Sequence, residues 1–200
     1  YGSLAKFAGI EVKFSELATG CKAKIQRDLP SDIEIEAMRD SIANPAWQWV
    51  FGMLAAYGLR PHEVFKLDCS ELNSEPGWLR VLPDTKTAER LILPLRPQWL
   101  KDWQLWDVKL PNIKTDGKNN QSIGGKITPN LRGQGIDLTA YHLRDAYAVR
   151  ASVLGIDPAI VARWMGHGLQ VHFDQYHNHI SKRDFEVAWK RATANDFPVQ

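Results

Sequence analysis

Apolar residues recur at helical spacing in the first and last thirds of the chain and gather into short runs between them. Ser31 precedes Ile33, Ile35 and Met38, and Glu34 three residues on completes a capping box, so a helix begins here and stops before Asn44-Pro45. Pro45 suits a first helical position, and the next helix runs through Trp49, Met53 and Ala56 to Gly58. Pro61 starts a short third helix carrying His62, Glu63 and Val64. The middle changes period. Residues 78–82 and 90–95 read as two short strands, joined by the polar hairpin loop Pro83–Glu89. Pro97 to Lys109 reads as a helix with Leu100, Trp103 and Trp106 on one face. A polar loop over 111–123 and a helix over 124–134 follow. Thr139 caps a helix from Ala140 to Leu154, closed by Gly155. Asp157 caps the next, with Pro158 first and Gly166 closing it. Two more helical segments cover 170–177 and 182–194. The pattern predicts a mainly α fold with a small antiparallel β-sheet (α+β), without internal repeats.

Composition narrows the class. At 44% hydrophobic and 24% charged, this is an ordinary globular chain of 200 residues, not a disordered one. The longest nearly apolar run, Trp47 to Leu59, is broken by Gln48 and falls short of the roughly 20 residues that span a bilayer. No basic stretch followed by an apolar one opens the chain, so the expectation is a cytoplasmic protein. Cys21 and Cys69 have no partners at metal spacing and read as reduced packing residues. The net charge of +2 is modest, but residues 109–150 hold seven bases against three acids. That excess suits a polyanion, and it equally suits a solvated surface.

Candidate chemistry comes from four places. Arg60 follows Gly58-Leu59 at a helix junction, and Arg144 lies in the helix over 140–154. Two arginines from two elements can clamp phosphate oxygens, or each can pair with a nearby acid, Glu63 or Asp145. The segment 166–179 is rich in histidine, with His167, His172, Asp174, His177 and His179. It lacks the His-Glu-x-x-His or cysteine-pair patterns of zinc sites, and its spacings do not hold one helical face. Tyr176 stands among polar residues. Such a tyrosine is either a surface aromatic or, near positive charge and a strong electrophile, a nucleophile.

Taken together, these features resemble the catalytic domain of the tyrosine recombinases, the phage-integrase type. Residues 56–67 contain Gly58-Leu-Arg60-Pro-His-Glu63 and Leu67, similar to the family pattern Gly-Leu-Arg-x-x-Glu-x-x-x-Leu. Leu138-Thr-Ala-Tyr141-His-Leu-Arg144-Asp-Ala-Tyr-Ala148 is similar to the second box, His-x-Leu-Arg-His-x-Phe-Ala. Met165-Gly-His167 resembles Leu-Gly-His, and Tyr176 follows His167 by nine residues. Lys86 sits on the hairpin where the family keeps its catalytic lysine. The likeness covers about residues 31–190. It departs in two places. The position three before Arg144 is Tyr141, where the family has His or Lys, and His142 falls one residue late. Residues i and i+3 share a helix face, so Tyr141 is expected beside Arg144 and His142 elsewhere. Asp145 stands where a second His is common.

The resemblance implies site-specific recombination of double-stranded DNA, by integration or excision, through a covalent 3′-phosphotyrosyl intermediate. Its catalytic residues would be Arg60, Lys86, Arg144, His167 and the nucleophile Tyr176. Tyr141 would donate a neutral hydrogen bond in place of the family His, and Glu63 would orient the basic groups. Neither a metal nor another cofactor nor a small-molecule substrate is implied. Residues 1–29 would be a connector or the remnant of an upstream DNA-clamp domain, and 30–200 the catalytic domain. The helix over 182–194, with Phe185, Val187, Ala188 and Trp189, would join protomers into a tetramer on DNA, in the nucleoid. Tyr176 is expected to be displaced when DNA is absent, because catalytic geometry is often loose in the free enzyme. Two other readings are a type IB topoisomerase-like DNA relaxer and a DNA-binding module that has lost catalysis.

Overall fold

The structure is a computed structural model, and it describes residues 29–83, 88–176 and 182–194. Nine elements of the sequence reading recur with close bounds, and the differences fall where a backbone turn intervenes. Helix α1 (Asp32–Ser41) is capped as its sequence predicts: Glu34 N–H donates to Ser31 Oγ and Ser31 N–H to Glu34 Oε2, at 3.3 and 2.7 Å. Helix α2 (Pro45–Tyr57) starts on Asn44, whose Oδ1 accepts from Ala46 and Trp47 N–H. From Trp49 onward all of α2 is buried, as a helix apolar on every face must be. Its two polar tips find partners: Trp49 Nε1–H donates to Leu105 O and Tyr57 Oη–H to Gly77 O, both at 2.9 Å. A 3-10 turn, Pro61–Phe65, follows.

Three short strands, β1 (Leu67–Asp68), β2 (Leu79–Val81) and β3 (Arg90–Ile92), form an antiparallel sheet in the order β1-β2-β3. At two residues, β1 is too short to show alternation in the sequence. In β2 and β3 the inward set is Leu79, Val81, Arg90 and Ile92, with Val81 opposite Arg90. On the outer face Arg80 pairs with Glu89, and lies 3.7 Å from both Asp68 and Glu71.

Helix α3 (Pro97–Asp102) is shorter than predicted. The chain leaves it at Trp103, and Gln104 takes φ 49°, which ends helical hydrogen bonding. Trp103 and Trp106 still pack on the core from the following turns. The helix predicted over 124–134 is two: α4 (Asn120–Gly124), inside the expected loop, and α5 (Ile127–Gly133). Asn119 caps α4 through Ser122 N–H, and the Gly124-Gly125 pair weakens continuation into α5. Helices α6 (Ala140–Val153), α7 (Pro158–Met165), α8 (Leu169–Tyr176) and α9 (Lys182–Ala194) complete the described chain.

The core forms where α2 packs along α6. Fully buried Tyr147 on α6 donates its hydroxyl to Leu93 O at 2.9 Å, tying the helices to the end of β3. Helix α1 is held to the body by Asp32, which pairs with Arg150 at 2.6 Å and with Arg96. The α9 backbone packs on α6, while Phe185, Val187 and Trp189 remain exposed. Cys69 is a free, half-buried thiol whose pKa burial pushes up to about 11. Cys21 and the predicted connector fall outside the described residues. Among the described residues no helix is long and apolar enough to cross a membrane.

Gly58 closes α2 at φ 60°, and a Cβ there would lie 2.6 Å from the Tyr147 ring. Gly155 also has positive φ, 73°, but has open space around it. Gly155→Ala should therefore cost only the left-handed strain, about 1–2 kcal/mol. Gly58→Ala should add overpacking, for a total of about 2–5 kcal/mol. Urea denaturation of the two variants measures this; equal losses would contradict the close approach of α2 and α6.

Candidate active site

The site is built at the C-terminal end of α7. Three successive carbonyls there each accept from a different guanidinium. Arg90 Nε–H donates to Trp164 O at 2.7 Å, Arg144 Nη2–H to Met165 O at 2.6 Å, and Arg60 Nη2–H to Gly166 O at 2.6 Å. A helix C-terminus presents unpaired carbonyls and the negative end of its dipole, so cations gather there. Gly166 allows the close approach: it is left-handed, and a Cβ on it would lie 3.0 Å from the Arg90 guanidinium. Arg144 is also held by the end of α2, donating Nη1–H to Gly58 O at 2.6 Å.

Glu63, on the 3-10 turn and almost wholly buried, joins the arginines. Its Oε1 accepts from Arg60 Nη1 at 2.9 Å, and its Oε2 from Arg90 Nη2 at 2.7 Å and Arg60 N at 2.8 Å. Burial alone would raise the carboxyl pKa, but Arg90, Arg60 and Arg144 outweigh it and hold the group below its ordinary range. The network thus sets three guanidiniums against one carboxylate. Arg90 Nη1 is buried without a partner among the described residues. Such a surplus of buried donors and positive charge favours an anion.

His167 follows Gly166 and faces this cluster. Arg144 Nη2 lies 3.2 Å from His167 Nδ1. A guanidinium only donates, so Nδ1 is the acceptor and the ring proton sits on Nε2. Burial and the neighbouring Arg144 depress the His167 pKa to about 3, so the ring is neutral. His167 Nε2–H then donates to His172 Nδ1 at 3.1 Å. Tyr176 closes the group, its ring centroid 5.6 Å from that of His167 and 5.0 Å from that of His172.

Arg60, Glu63, Arg144, His167 and Tyr176 therefore converge from segments 116 positions apart (176 − 60), through contacts on the end of α7. Arg60 does pair with Glu63, yet the pairing holds the arginine in the site. Tyr176 is only 4% exposed, and burial raises its pKa despite the attraction of Arg144 and Arg60. It is held as a neutral phenol, so the electropositive surroundings do not by themselves yield a phenolate. Arg60, Tyr141 and Gly166 line one cleft of about 640 Å³, whereas His172 and Tyr176 line another of about 480 Å³.

Tyr141 and His142 separate as helix geometry requires. Tyr141 is half exposed at the cleft beside Arg60. The His142 ring turns back to the start of α6, where Nδ1 accepts from Thr139 N–H at 3.1 Å. Lys86, His177 and His179 lie outside the described residues. Among those described, no three His, Cys, Asp or Glu side chains are placed to hold a metal ion. Sequence reasoning missed Arg90. Its signal was available in the alternation of β3, where Arg90 and Ile92 share the inward face and Leu91 points out. His172 was considered only as a metal ligand.

Comparison with known proteins agrees with this architecture. No protein-family model matches the chain. Excisase A of Nostoc sp. is 34% identical over 169 residues, covering 76% of this chain and 36% of the excisase. Excisase C of the same organism is 34% identical over 145 residues, covering 65% and 28%. The chain thus spans about a third of the length of the curated relatives it matches. Among solved structures, the XerA recombinase superposes with a TM-score of 0.59 at 15% identity, covering 94% of this chain and 71% of that one. The XerH site-specific recombinase bound to its difH substrate gives 0.52 at 18% identity, covering 82% and 53%. The Tn1549 transposon integrase with transposon end DNA gives 0.52 at 14%, covering 92% and 71%. The fold is that of the tyrosine recombinase catalytic domain. By sequence the chain is similar to the two excisases.

The His167 environment fixes a pH response. Its folded pKa lies below the ordinary 6.5, so the unfolded chain takes up a proton first on acidification. The neutral ring's contribution to stability is complete above pH 6.5 and is lost as pH falls from there toward 3. In the free protein, an NMR titration of the His167 ring should show no midpoint at 6.5; a midpoint there would mean the ring is not enclosed by the arginines.

Proposed function

We propose that this chain is the catalytic unit of a site-specific DNA recombinase that cleaves and rejoins duplex DNA through a covalent bond at Tyr176. The observation that carries the reading is the meeting of Arg60, Arg144, His167 and Tyr176 at one buried, positively charged point. Isolated structural ion pairs would not require four segments to converge with surplus donors. The likeness to Excisase A and Excisase C favours excision as the direction of exchange.

In this reading Tyr176 Oη attacks the scissile phosphorus. A Tyr176 Oη–P bond forms as the phenol proton passes to solvent, the P–O5′ bond breaks, and the DNA 5′ oxygen leaves as a hydroxyl, taking its proton from Lys86. The 5′ hydroxyl of a second strand then attacks the phosphotyrosyl link, returning a proton to Lys86, and the departing Tyr176 oxygen takes a proton back from solvent. One phosphoester replaces another, so the bond count closes without an added energy source. Arg60 and Arg144 stabilise the negative charge gathered on the non-bridging oxygens of the transition state, and His167 donates its Nε2–H to a phosphate oxygen. Tyr141 offers its hydroxyl to the phosphate from the cleft edge. DNA binding must draw Tyr176 out of its enclosure and toward the Arg60 cleft, and it supplies the negative charge that the arginines lack. Residues 30–200 act as one unit, and the exposed Phe185, Val187 and Trp189 of α9 join protomers on DNA.

A nicked suicide substrate tests the chemistry by trapping covalent protein. Tyr176→Phe should abolish the adduct while leaving DNA binding within about twofold, since only a hydroxyl is lost. An adduct that persists in this variant would overturn the assignment of Tyr176.

Binding itself should be weak and salt-sensitive. The basic segment 109–150, with Arg60 and Lys86, offers roughly 4–6 phosphate contacts, each adding about −0.9 to the slope of log affinity against log salt. Raising salt fourfold should therefore lower affinity by about two to three orders of magnitude. Affinity indifferent to salt, measured by fluorescence anisotropy on duplex DNA, would argue against a phosphate-reading surface.

A further inference from the structure

We propose that His172 is a positioning residue for the reaction, holding His167 through its Nε2–H. This rests on the reading of Tyr176 as the nucleophile. His172 lies five residues after His167, one turn into α8, and is 4% exposed. Its Nδ1 accepts from His167 Nε2 at 3.1 Å. The other nitrogen of His167 is already held by Arg144, so His172 completes the fixing of that ring at both ends. The two imidazoles are stacked, with centroids 5.4 Å apart, and both rings pack on Tyr176. His172 therefore touches the two groups that must be aligned, the donor and the nucleophile.

The chemistry of the contact is specific. His167 has one proton to give once Arg144 occupies Nδ1, and it is the Nε2 proton. In the free protein His172 Nδ1 accepts that proton's hydrogen bond, in the way a phosphate oxygen would accept it from the same ring. An acceptor is needed here: an apolar residue would leave the Nε2–H buried without a partner and the ring free to turn. No acid or base step is assigned to His172. It keeps the ring of His167 in one orientation and one tautomer until the phosphate takes the hydrogen bond.

The test separates acceptor from packing. Asn places an acceptor oxygen near the position of Nδ1, whereas Leu fills the space without one. In the 200-residue chain on a nicked duplex, His172→Leu should slow phosphotyrosyl formation about tenfold, and His172→Asn should stay within about threefold of the parent. A role in packing alone predicts the reverse order, because Leu suits a buried site better. If Leu is as fast as Asn or faster, the proposal is overturned. A second measurement needs no DNA. The His167 Nε2 proton should exchange slowly with water in the parent and in His172→Asn, and rapidly in His172→Leu, as read by imidazole NMR. Rapid exchange in the parent would remove the hydrogen bond and the proposal with it. A protected proton in a parent that forms no adduct would instead overturn the recombinase reading, and with it any catalytic use of the contact.

Discussion

The structure depends on how the guanidinium of Arg144 is buried. A cation in a protein interior must have its donors satisfied, and here two backbone carbonyls accept from it. The carbonyl ends of two helices do the work, α2 through Gly58 and α7 through Met165. Because both acceptors are helix termini, the two helices must end within reach of one side chain on a third, α6. That requirement explains why Gly58 and Gly166 are both left-handed glycines. Each ends its helix abruptly, and a side chain on either would collide with Tyr147 or Arg90.

The same end of α7 then recruits Arg60 and Arg90, and Glu63 becomes necessary. Three cations on three neighbouring carbonyls would repel one another. A single carboxylate bridging Arg60 and Arg90 relieves part of that repulsion and leaves a positive surplus. The pairing of Arg60 with Glu63 is therefore compatible with a role in binding phosphate, since Glu63 and the Gly166 carbonyl each take one of the five guanidinium N–H groups. Burial by the neighbouring helices explains the other charge states. His167 stays neutral beside the arginines, and Tyr176 stays protonated because loss of solvent outweighs their attraction.

The free protein encloses Tyr176 and keeps a surplus of positive charge, two halves that a phosphodiester would bring together. Tyr176 packs on His167 and His172 beside one cleft, while Arg60 and Tyr141 face another. Tyr176 rests on ring contacts to His167 and His172 and on a side-chain hydrogen bond with Arg144. Exchanging them for charged contacts to a phosphate is energetically reasonable in a way that dismantling the arginine network would not be.

Local sequence determined the elements whose signals are local. Ser31 with Glu34, Asn44 with Pro45, and Asp157 with Pro158 mark helix starts, and the helical period of Tyr141 and Arg144 assigned Tyr141 rather than His142 to the cleft. The boxes around Arg60, Arg144, His167 and Tyr176 pointed to a shared phosphate chemistry before any contact was known. Tertiary structure decided the rest. The early end of α3 at Trp103 and the break between α4 and α5 follow from turns and packing that helical periodicity does not encode. Two-residue β1 exists only because β2 offers it partners. Arg90 and His172 gained their places from residues 27 and 5 positions away, Glu63 and His167, and a sequence pattern shows an inward arginine or a stray histidine without showing what it meets. The protonation of Tyr176 was least legible of all, because it is a balance of burial against charge and both terms belong to the folded surroundings, not to the residue.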